Sequence, residues 1–95
     1  MKEFTIRVSY GSHEYDLKAV VEYETDQAMG IRVFGTRQSI LLENDLPARI
    51  SAGVKESTLH WKIQSGGFRS KDPAKDAQLM ADILRRLEDH ITSIR

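Results

Sequence analysis

The stretch of sequence that decides the fold is residues 72–95, DPAKDAQLMADILRRLEDHITSIR. Apolar residues recur in it at alternating intervals of three and four: Ala77, Met80, Leu84, Leu87, Ile91 and Ile94. Ile83 widens this stripe, and polar residues, Asp82 among them, occupy the opposite side. The spacing predicts one amphipathic helix from Asp72 to the C-terminus, with one face built for burial. Asp72 suits the N-cap and Pro73 the first helical position.

The chain before this helix has the pattern of antiparallel strands. Apolar and polar residues alternate over residues 4–10 and again over residues 15–23, and Gly11-Ser12 between them suits a tight hairpin turn. The same alternation returns at 29–33, 38–43 and 58–64. Because short connections force sequential strands to pair antiparallel, the sequence predicts an α+β fold. Its sheet is an antiparallel meander of about five strands, with the long C-terminal helix packed across one face.

The segment 44–56 fits two conformations. Apolar residues stand four apart in it, at Leu46, Ile50 and Val54. With Asp45 as a cap, this spacing indicates a short helix around 46–52. The β-branched side chains of Ile50 and Val54 also fit an irregular strand. Both conformations stay open at the level of sequence.

Size, charge and cysteine content exclude several classes of protein. The 95 residues have room for a single domain, 1–95. Fourteen basic residues balance fourteen acidic ones, so no global field attracts nucleic acid or an anionic membrane. The absence of cysteine excludes disulfides, thiolate metal sites and cysteine nucleophiles. No segment approaches the ~20 apolar residues of a membrane span, and a soluble, cytoplasmic protein is expected.

A glycine-rich loop before the helix is the sharpest candidate for a binding site. A helix N-terminus presents free backbone N–H groups to an anion, and basic side chains add charge. The residues that would bind the anion or nucleotide are Gly66, Gly67, Arg69, Ser70 and Lys71. The order of residues in a phosphate-binding P-loop is absent. The structural interpretation is the stronger one, because Asp72 would itself occupy the position of the anion.

Residues typical of catalysis, metal binding and RNA binding are present but not arranged for those tasks. His13, His60 and His90 fall on three different elements without ligand spacing, so we predict no metal site. No serine has the context of a hydrolase nucleophile, and the acidic row at 14–24 has the pattern of a solvated strand face. Trp61 shares a strand face with apolar residues, which favours the core over a nucleic-acid stacking platform.

Three apolar residues are out of phase with the inner face of the predicted sheet: Val20, Phe34 and Leu41. Two explanations compete for them. The segment 44–56 folds back and covers them with Leu46, Ile50 and Val54, or they form an exposed patch of the kind found at protein interfaces. The first explanation is slightly favoured, because it needs no partner.

These observations leave three functional classes. The first, which we expect, is a small non-catalytic protein-interaction or ligand-binding domain, including a homodimer formed through an edge strand or the outer apolar patch. The second is anion or nucleotide binding at the loop 66–71. The third and least favoured is a small enzyme. We predict no catalytic residue and no cofactor.

Overall fold

The computed structural model of the protein describes residues 2–53, 59–68 and 72–93. The elements in chain order are β1 (Glu3–Tyr10), β2 (His13–Glu24), β3 (Met29–Phe34), β4 (Ser39–Asn44), α1 (Leu46–Ser51), β5 (Trp61–Gly66) and α2 (Pro73–Ser93). The five strands form one sheet in the order β1-β2-β3-β4-β5, and each pair of neighbours is antiparallel. The predicted α+β meander with a long C-terminal helix is therefore confirmed.

The buried core lies between the inner face of the sheet and α2. Its members are Ile6, Val8, Ala19, Met29, Ile31, Val33, Ile40, Leu42, Leu46, Leu59, Ile83, Leu87 and Ile91. The strand residues in this set are those that alternation places on one face, as expected for a sheet with one covered side. Ile94 lies outside the described residues, and the helix residues in this set all belong to the predicted stripe. Ile83, Leu87 and Ile91 lie at its centre, Leu84 is half-buried and Ala77 is exposed.

A β-bulge in β2 changes the position of one predicted inner residue. The register shifts between Val21 and Tyr23, so that Val21 lies opposite Ile31 and Tyr23 opposite Gly30. Met29 and Ile31 point into the core, so the side on which Gly30 would carry a Cβ is the outer face. An added Cβ there would overlap the Tyr23 ring. Tyr23 therefore lies on the outer face, although its place in the alternation predicted the inner one.

The helix α2 runs along β1 and protects the free edge of that strand. The Asp82 carboxylate accepts a hydrogen bond from the backbone N–H of Ser9, with Oδ2 2.8 Å from the nitrogen. At one end Lys75 Nζ lies 6.0 Å from the centre of the Tyr10 ring, and at the other the His90 ring stacks on Phe4. An edge strand otherwise presents unpaired N–H and C=O groups, which are a template for another chain.

Because of the contacts of Asp82, the stability of the protein should change with pH in the acid range. Its side chain is 12% exposed. Burial by itself raises the pKa of this carboxyl, but hydrogen bonds from Arg85 and the Ser9 N–H, with the charges of Arg85 and Arg86, lower the pKa below its ordinary value of 3.8. A carboxyl whose pKa is lower in the folded state stabilises the fold above its unfolded pKa. That stabilisation is lost as the pH falls below 3.8 and through the folded value.

We expect Asp82→Asn to lower the free energy of unfolding at pH 7 by about 1–2 kcal/mol, because a charge-assisted hydrogen bond becomes a neutral one. The difference from the wild type should shrink as the pH is lowered from about 4 to 2. Urea unfolding at several pH values measures both effects. Asp89→Asn, at an exposed position on the same helix, is the control and should change stability by less than about 0.5 kcal/mol. A constant difference between wild type and Asp82→Asn across that pH range would contradict the assignment.

The helix α1 confirms the predicted short helix and starts after Asp45 as expected, but Asp45 does not cap it with its side chain. The Asp45 side chain makes no capping bond; it accepts hydrogen bonds from Arg49 Nε and from the backbone N–H of His60, both at 2.9 Å. Asn44 instead accepts a hydrogen bond from the backbone N–H of Leu46, with its Oδ1 2.9 Å from the nitrogen. Burial raises the pKa of Asp45, but the bonds from His60 and Arg49 outweigh it and lower the pKa below 3.8. The side chains of Asn44 and Asp45 thus join the end of β4, the start of α1 and the approach to β5.

Candidate functional site

The free edge of β5 is the most exposed part of the sheet. This strand pairs with β4 on one side, and it is the last strand in the sheet order of the described residues. It spans Trp61–Gly66 rather than the predicted 58–64, because Leu59 and His60 approach the sheet as irregular backbone. Thr58 lies outside the described residues. Apart from the half-buried Trp61, every residue of β5 is exposed.

Ile63 is an inner-face residue that α2 leaves uncovered. It lies opposite Leu42, which is fully buried, yet Ile63 is 54% exposed. The cause is the position of α2 beside β1, at the other end of the sheet order. The helix reaches Trp61 of β5 through Glu88, whose Oε1 accepts hydrogen bonds from Trp61 Nε1 at 3.2 Å and from the preceding Leu59 N–H at 3.3 Å. The inner side of β5 therefore presents apolar surface beside an unpaired strand edge.

The predicted outer patch is divided by a charged side chain. Val20, Arg32 and Leu41 lie in one cross-strand row, with Arg32 in the middle. Arg32 donates from Nε to Glu22 Oε2 at 2.7 Å and from Nη1 to Ser39 Oγ at 3.3 Å. Its aliphatic stem lies between the two apolar residues, which are both half-buried. Phe34 is the most exposed of the three predicted interface residues, at 38%.

The segment that was expected to cover this patch does not reach it. Leu46 is a member of the core cluster on the inner side, and Ile50 is 47% exposed. Val54 lies outside the described residues. The covering explanation is therefore wrong for Leu46 and Ile50, because α1 turns towards the inner face at the end of β4. The interface role of Val20, Phe34 and Leu41 stays a prediction.

The Tyr23 ring is a second feature of the outer face, and the alternation of residues in β2 did not predict it. Its ring lies above Gly30, next to Glu22 and Glu43. Burial of the phenol raises its pKa above the ordinary value of 10.0, and the charges of Glu43 and Glu22 raise it further. The group therefore stays neutral at physiological pH, and its ring packs over Gly30. Two sequence features signal this arrangement: the adjacent residues Glu22 and Tyr23, where a bulge can form, and the glycine at position 30 of the neighbouring strand.

The predicted anion loop is described only in part. Arg69, Ser70 and Lys71 lie outside the described residues, so the predicted site stays a prediction. Gly66 has φ of 77°, and an added Cβ would overlap the Ser39 carbonyl oxygen, which is a packing reason for glycine at this position. The Asp72 Oδ1 accepts hydrogen bonds from the N–H groups of Ala74 at 3.1 Å and Lys75 at 3.3 Å. Asp72 thus occupies the helix N-terminus, as its role as a cap predicted.

The three histidines lie on different parts of the fold and contact different neighbours. His13 lies at the β1–β2 turn beside Tyr15, His60 precedes β5, and His90 stacks on Phe4. Within residues 2–53, 59–68 and 72–93, no group of three or more His, Cys, Asp or Glu side chains is arranged to hold a metal ion. The acidic row of β2 forms ion pairs on the outer face, such as Asp16 with Arg7 at 3.1 Å.

Several cavities lie beside α2, and two of them differ in charge. The first, of about 280 Å³, lies where the C-terminal part of α2 passes the start of β1 and contains Phe4 and His90 in its wall. The second, of about 200 Å³, lies near the N-terminal part of the helix and is lined by apolar side chains, two tyrosines and a glycine. Among the residues that the structure describes, neither of these two cavities contains a nucleophile paired with a base.

None of the helices in the part of the chain that the structure describes combines the length and apolar character needed to cross a membrane. No family model, curated protein or solved structure matches this chain, and its function is inferred from geometry.

Proposed function

We propose that the protein is a non-catalytic interaction domain that pairs with a second copy of itself through the free edge of β5. The observation that carries this proposal is the difference between the two edges of the sheet. The β1 edge is protected by α2 through the bond from Ser9 to Asp82. The β5 edge has no strand or helix of the described residues along it, and Ile63 beside it is 54% exposed.

The charge pattern of β5 suits pairing with itself. Lys62 is its only charged residue, and Lys62 lies opposite Glu43 of β4, which balances it. Strand edges that avoid pairing usually carry several charges, a proline or a covering element. Five exposed residues, with one lysine and one irregularity in the pairing with β4 between Ile63 and Ser65, are a template for one more antiparallel strand. In a symmetric dimer the same segment serves both partners.

The same pattern selects one register for the pair. A two-fold axis perpendicular to the sheet keeps the inner face of both copies on one side, so residues on equal faces must lie opposite one another. Centring the axis on Lys62 would oppose two ammonium groups, which is destabilising. Centring it on Ile63 places the two Ile63 side chains together and puts Lys62 opposite Gln64 of the second copy. This register buries the exposed apolar side chain and separates the charges.

Single-cysteine variants test the register directly, because the chain has no cysteine of its own. Directly opposed residues in antiparallel strands have Cβ atoms about 4.5–5.5 Å apart, near the separation of a disulfide. We expect Ile63→Cys to form a cross-linked dimer under mild oxidation. Ile50→Cys, at an isoleucine of similar exposure on α1, is the matched control and should remain monomeric on a denaturing gel.

A third variant separates the edge from the outer patch. If the outer face is the interface, Phe34→Cys should cross-link faster than Ile63→Cys, and the proposed edge would be wrong. Light scattering on the wild type at several concentrations gives an independent measurement, with a dimer expected. Ile63→Lys should give a monomer of unchanged circular dichroism, since it would oppose two charges at the axis. A wild type that stays monomeric at every concentration would overturn the proposal.

A further inference from the structure

We infer that the cavity beside the N-terminal part of α2 binds a small uncharged aromatic molecule of one ring or two fused rings. The cavity measures about 200 Å³. An apolar cavity of about 150 Å³ accepts benzene, and pockets for drug-sized molecules start near 300 Å³. Its wall comes from β1, β2, α2 and two residues outside the strands, so the inference goes beyond the proposed dimer at β5 and does not depend on it.

The cavity lies where α2 leaves the inner face of the β1–β2 hairpin partly uncovered. Val8 and Tyr15 are directly opposite one another, so their side chains share the inner face. Val8 is 1% exposed, but Tyr15 is 47% exposed, and Leu17, the next inner residue of β2, is half-buried. A large aromatic side chain that stays nearly half exposed on the covered face marks a space that the helix does not fill. An apolar ligand in that space would remove this surface from water.

Three aromatic rings contribute to the wall of this cavity, from Tyr10, Tyr15 and Phe68. The Phe68 ring packs directly on the backbone of Gly35, where an added Cβ would lie 2.8 Å from ring atom Cε1. Phe68 also packs against the core and is half-buried, which holds the ring at the cavity. Aromatic rings attract a further ring in offset or edge-to-face geometry, beyond the effect of the buried area. The lining therefore favours an aromatic ligand over an alkyl chain of equal size.

The lining also selects the charge of the ligand. Each described residue of the wall is apolar, a tyrosine or a glycine, so the wall offers no ionic partner. Lys75 is near, with Nζ 6.0 Å from the centre of the Tyr10 ring, but it is exposed and outside the wall. An exposed charge stabilises a ligand ion by much less than the dehydration of that ion costs. A neutral ligand is therefore favoured over a carboxylate and over an ammonium ion of the same shape.

The experiment is an NMR titration with benzyl alcohol, benzoate and benzylammonium, three probes that share a ring and differ in charge. We expect benzyl alcohol at millimolar concentration to shift the methyl signals of Val8, Leu17 and Leu79. Each charged probe should bind about tenfold more weakly or less, since its ion would lose water without gaining a partner. Methyl groups at the cavity beside Phe4 and His90 are an internal control and should shift less; they belong to Val21, Met29 and Ile91.

Variants test whether the ligand enters this cavity. Leu79 is half-buried on α2, so Leu79→Trp can place its indole in the space and should abolish the shifts at Val8 and Leu17. Leu84→Trp, at a half-buried leucine of the same helix outside the wall, is the matched control and should bind benzyl alcohol as the wild type does. Tyr15→Ala removes one ring at an exposed position and should weaken binding about threefold or more, which keeps the test decisive if Leu79→Trp does not fold.

Four results would each overturn the inference. They are no shifts at Val8 and Leu17, binding of a charged probe equal to or stronger than that of benzyl alcohol, shifts confined to the control methyl groups, and unchanged binding by a folded Leu79→Trp or by Tyr15→Ala. A wild type that light scattering shows to be monomeric would overturn the proposed dimer and leave this inference intact.

Discussion

Replacing Leu87 by alanine is expected to lower the free energy of unfolding by about 2–5 kcal/mol. Leu87 is fully buried and lies in the centre of the α2 face that covers the sheet. Removing its branched end leaves a cavity between the helix and the inner face of the strands, and the neighbouring β-branched side chains have little freedom to fill it. Since a domain of this size has a total stability of about 5–15 kcal/mol, the loss is a large fraction of it.

Leu84→Ala is the matched control for this prediction. Leu84 is the same residue type on the same helix, but it is half-buried at the side of the packed face. We expect it to lose about half as much stability as Leu87→Ala, because less apolar area is removed from the core. Urea unfolding of both variants and the wild type measures the difference. If Leu84→Ala were the more destabilising, Leu84 rather than Leu87 would lie at the centre of the packed face.

Replacing Gly66 by alanine is expected to destabilise the protein by about 2–4 kcal/mol, as a sum of two effects. Its φ of 77° lies in the left-handed region, which a residue with a Cβ adopts at a penalty of about 1–2 kcal/mol. An added Cβ would also overlap the carbonyl oxygen of Ser39, which is backbone of the neighbouring strand and cannot rotate away. The end of β5 would therefore have to separate from β4.

The next residue provides the control, because Gly67 has neither constraint. Its φ is not positive, and an added Cβ would meet nothing within 4 Å. Gly67→Ala should change stability by less than about 0.5 kcal/mol or raise it slightly, since alanine restricts the unfolded chain. Thermal unfolding of the two variants gives the comparison. Equal effects at both positions would show that the close approach of Gly66 to Ser39 does not hold in solution.

The helix phase illustrates how far periodicity carries. The spacing of apolar residues predicted a long amphipathic helix, and the described part, Pro73–Ser93, agrees with it; Asp72 caps the helix as its residue type predicted. Because the predicted stripe includes both Leu84 and Ile83, the sequence did not show which of the two lies at the centre of the packed face. The twist of the sheet and the position of the helix along β1 place Ile83 and Leu87 at the centre of the packed face. They also bring Asp82, a residue of the polar side, against the backbone of Ser9.

The contacts of side chains that connect two elements could not be predicted from the sequence pattern. Asn44 ends a strand whose inner positions are otherwise apolar, and it is 2% exposed because α1 folds over it. Its Oδ1 accepts a hydrogen bond from the Leu46 N–H, while its buried Nδ2 has no hydrogen-bond partner among the described residues. Asp45 reaches His60 across fifteen residues of chain. Such contacts depend on where two elements meet, and a periodic pattern within one element carries no information about that.

The candidate sites divide along the same line. The exposed edge of β5 follows from the order of strands in a meander, because its last strand has one neighbour, and this was open to prediction. The exposure of Ile63 was not, since its alternation is that of a buried residue. The cavity at Phe4 and His90 joins residues more than eighty positions apart. No local spacing relates two such positions.

By itself the amino-acid sequence determined the elements of this protein, since period-two and helical spacing and the glycine and proline positions act within a few residues along the chain. It also determined that one helix must cover one side of one sheet, because no other element has a long apolar face. Only the tertiary structure decided which edge that helix protects. A helix is narrower than a five-stranded sheet, so it covers β1 and leaves β5 open.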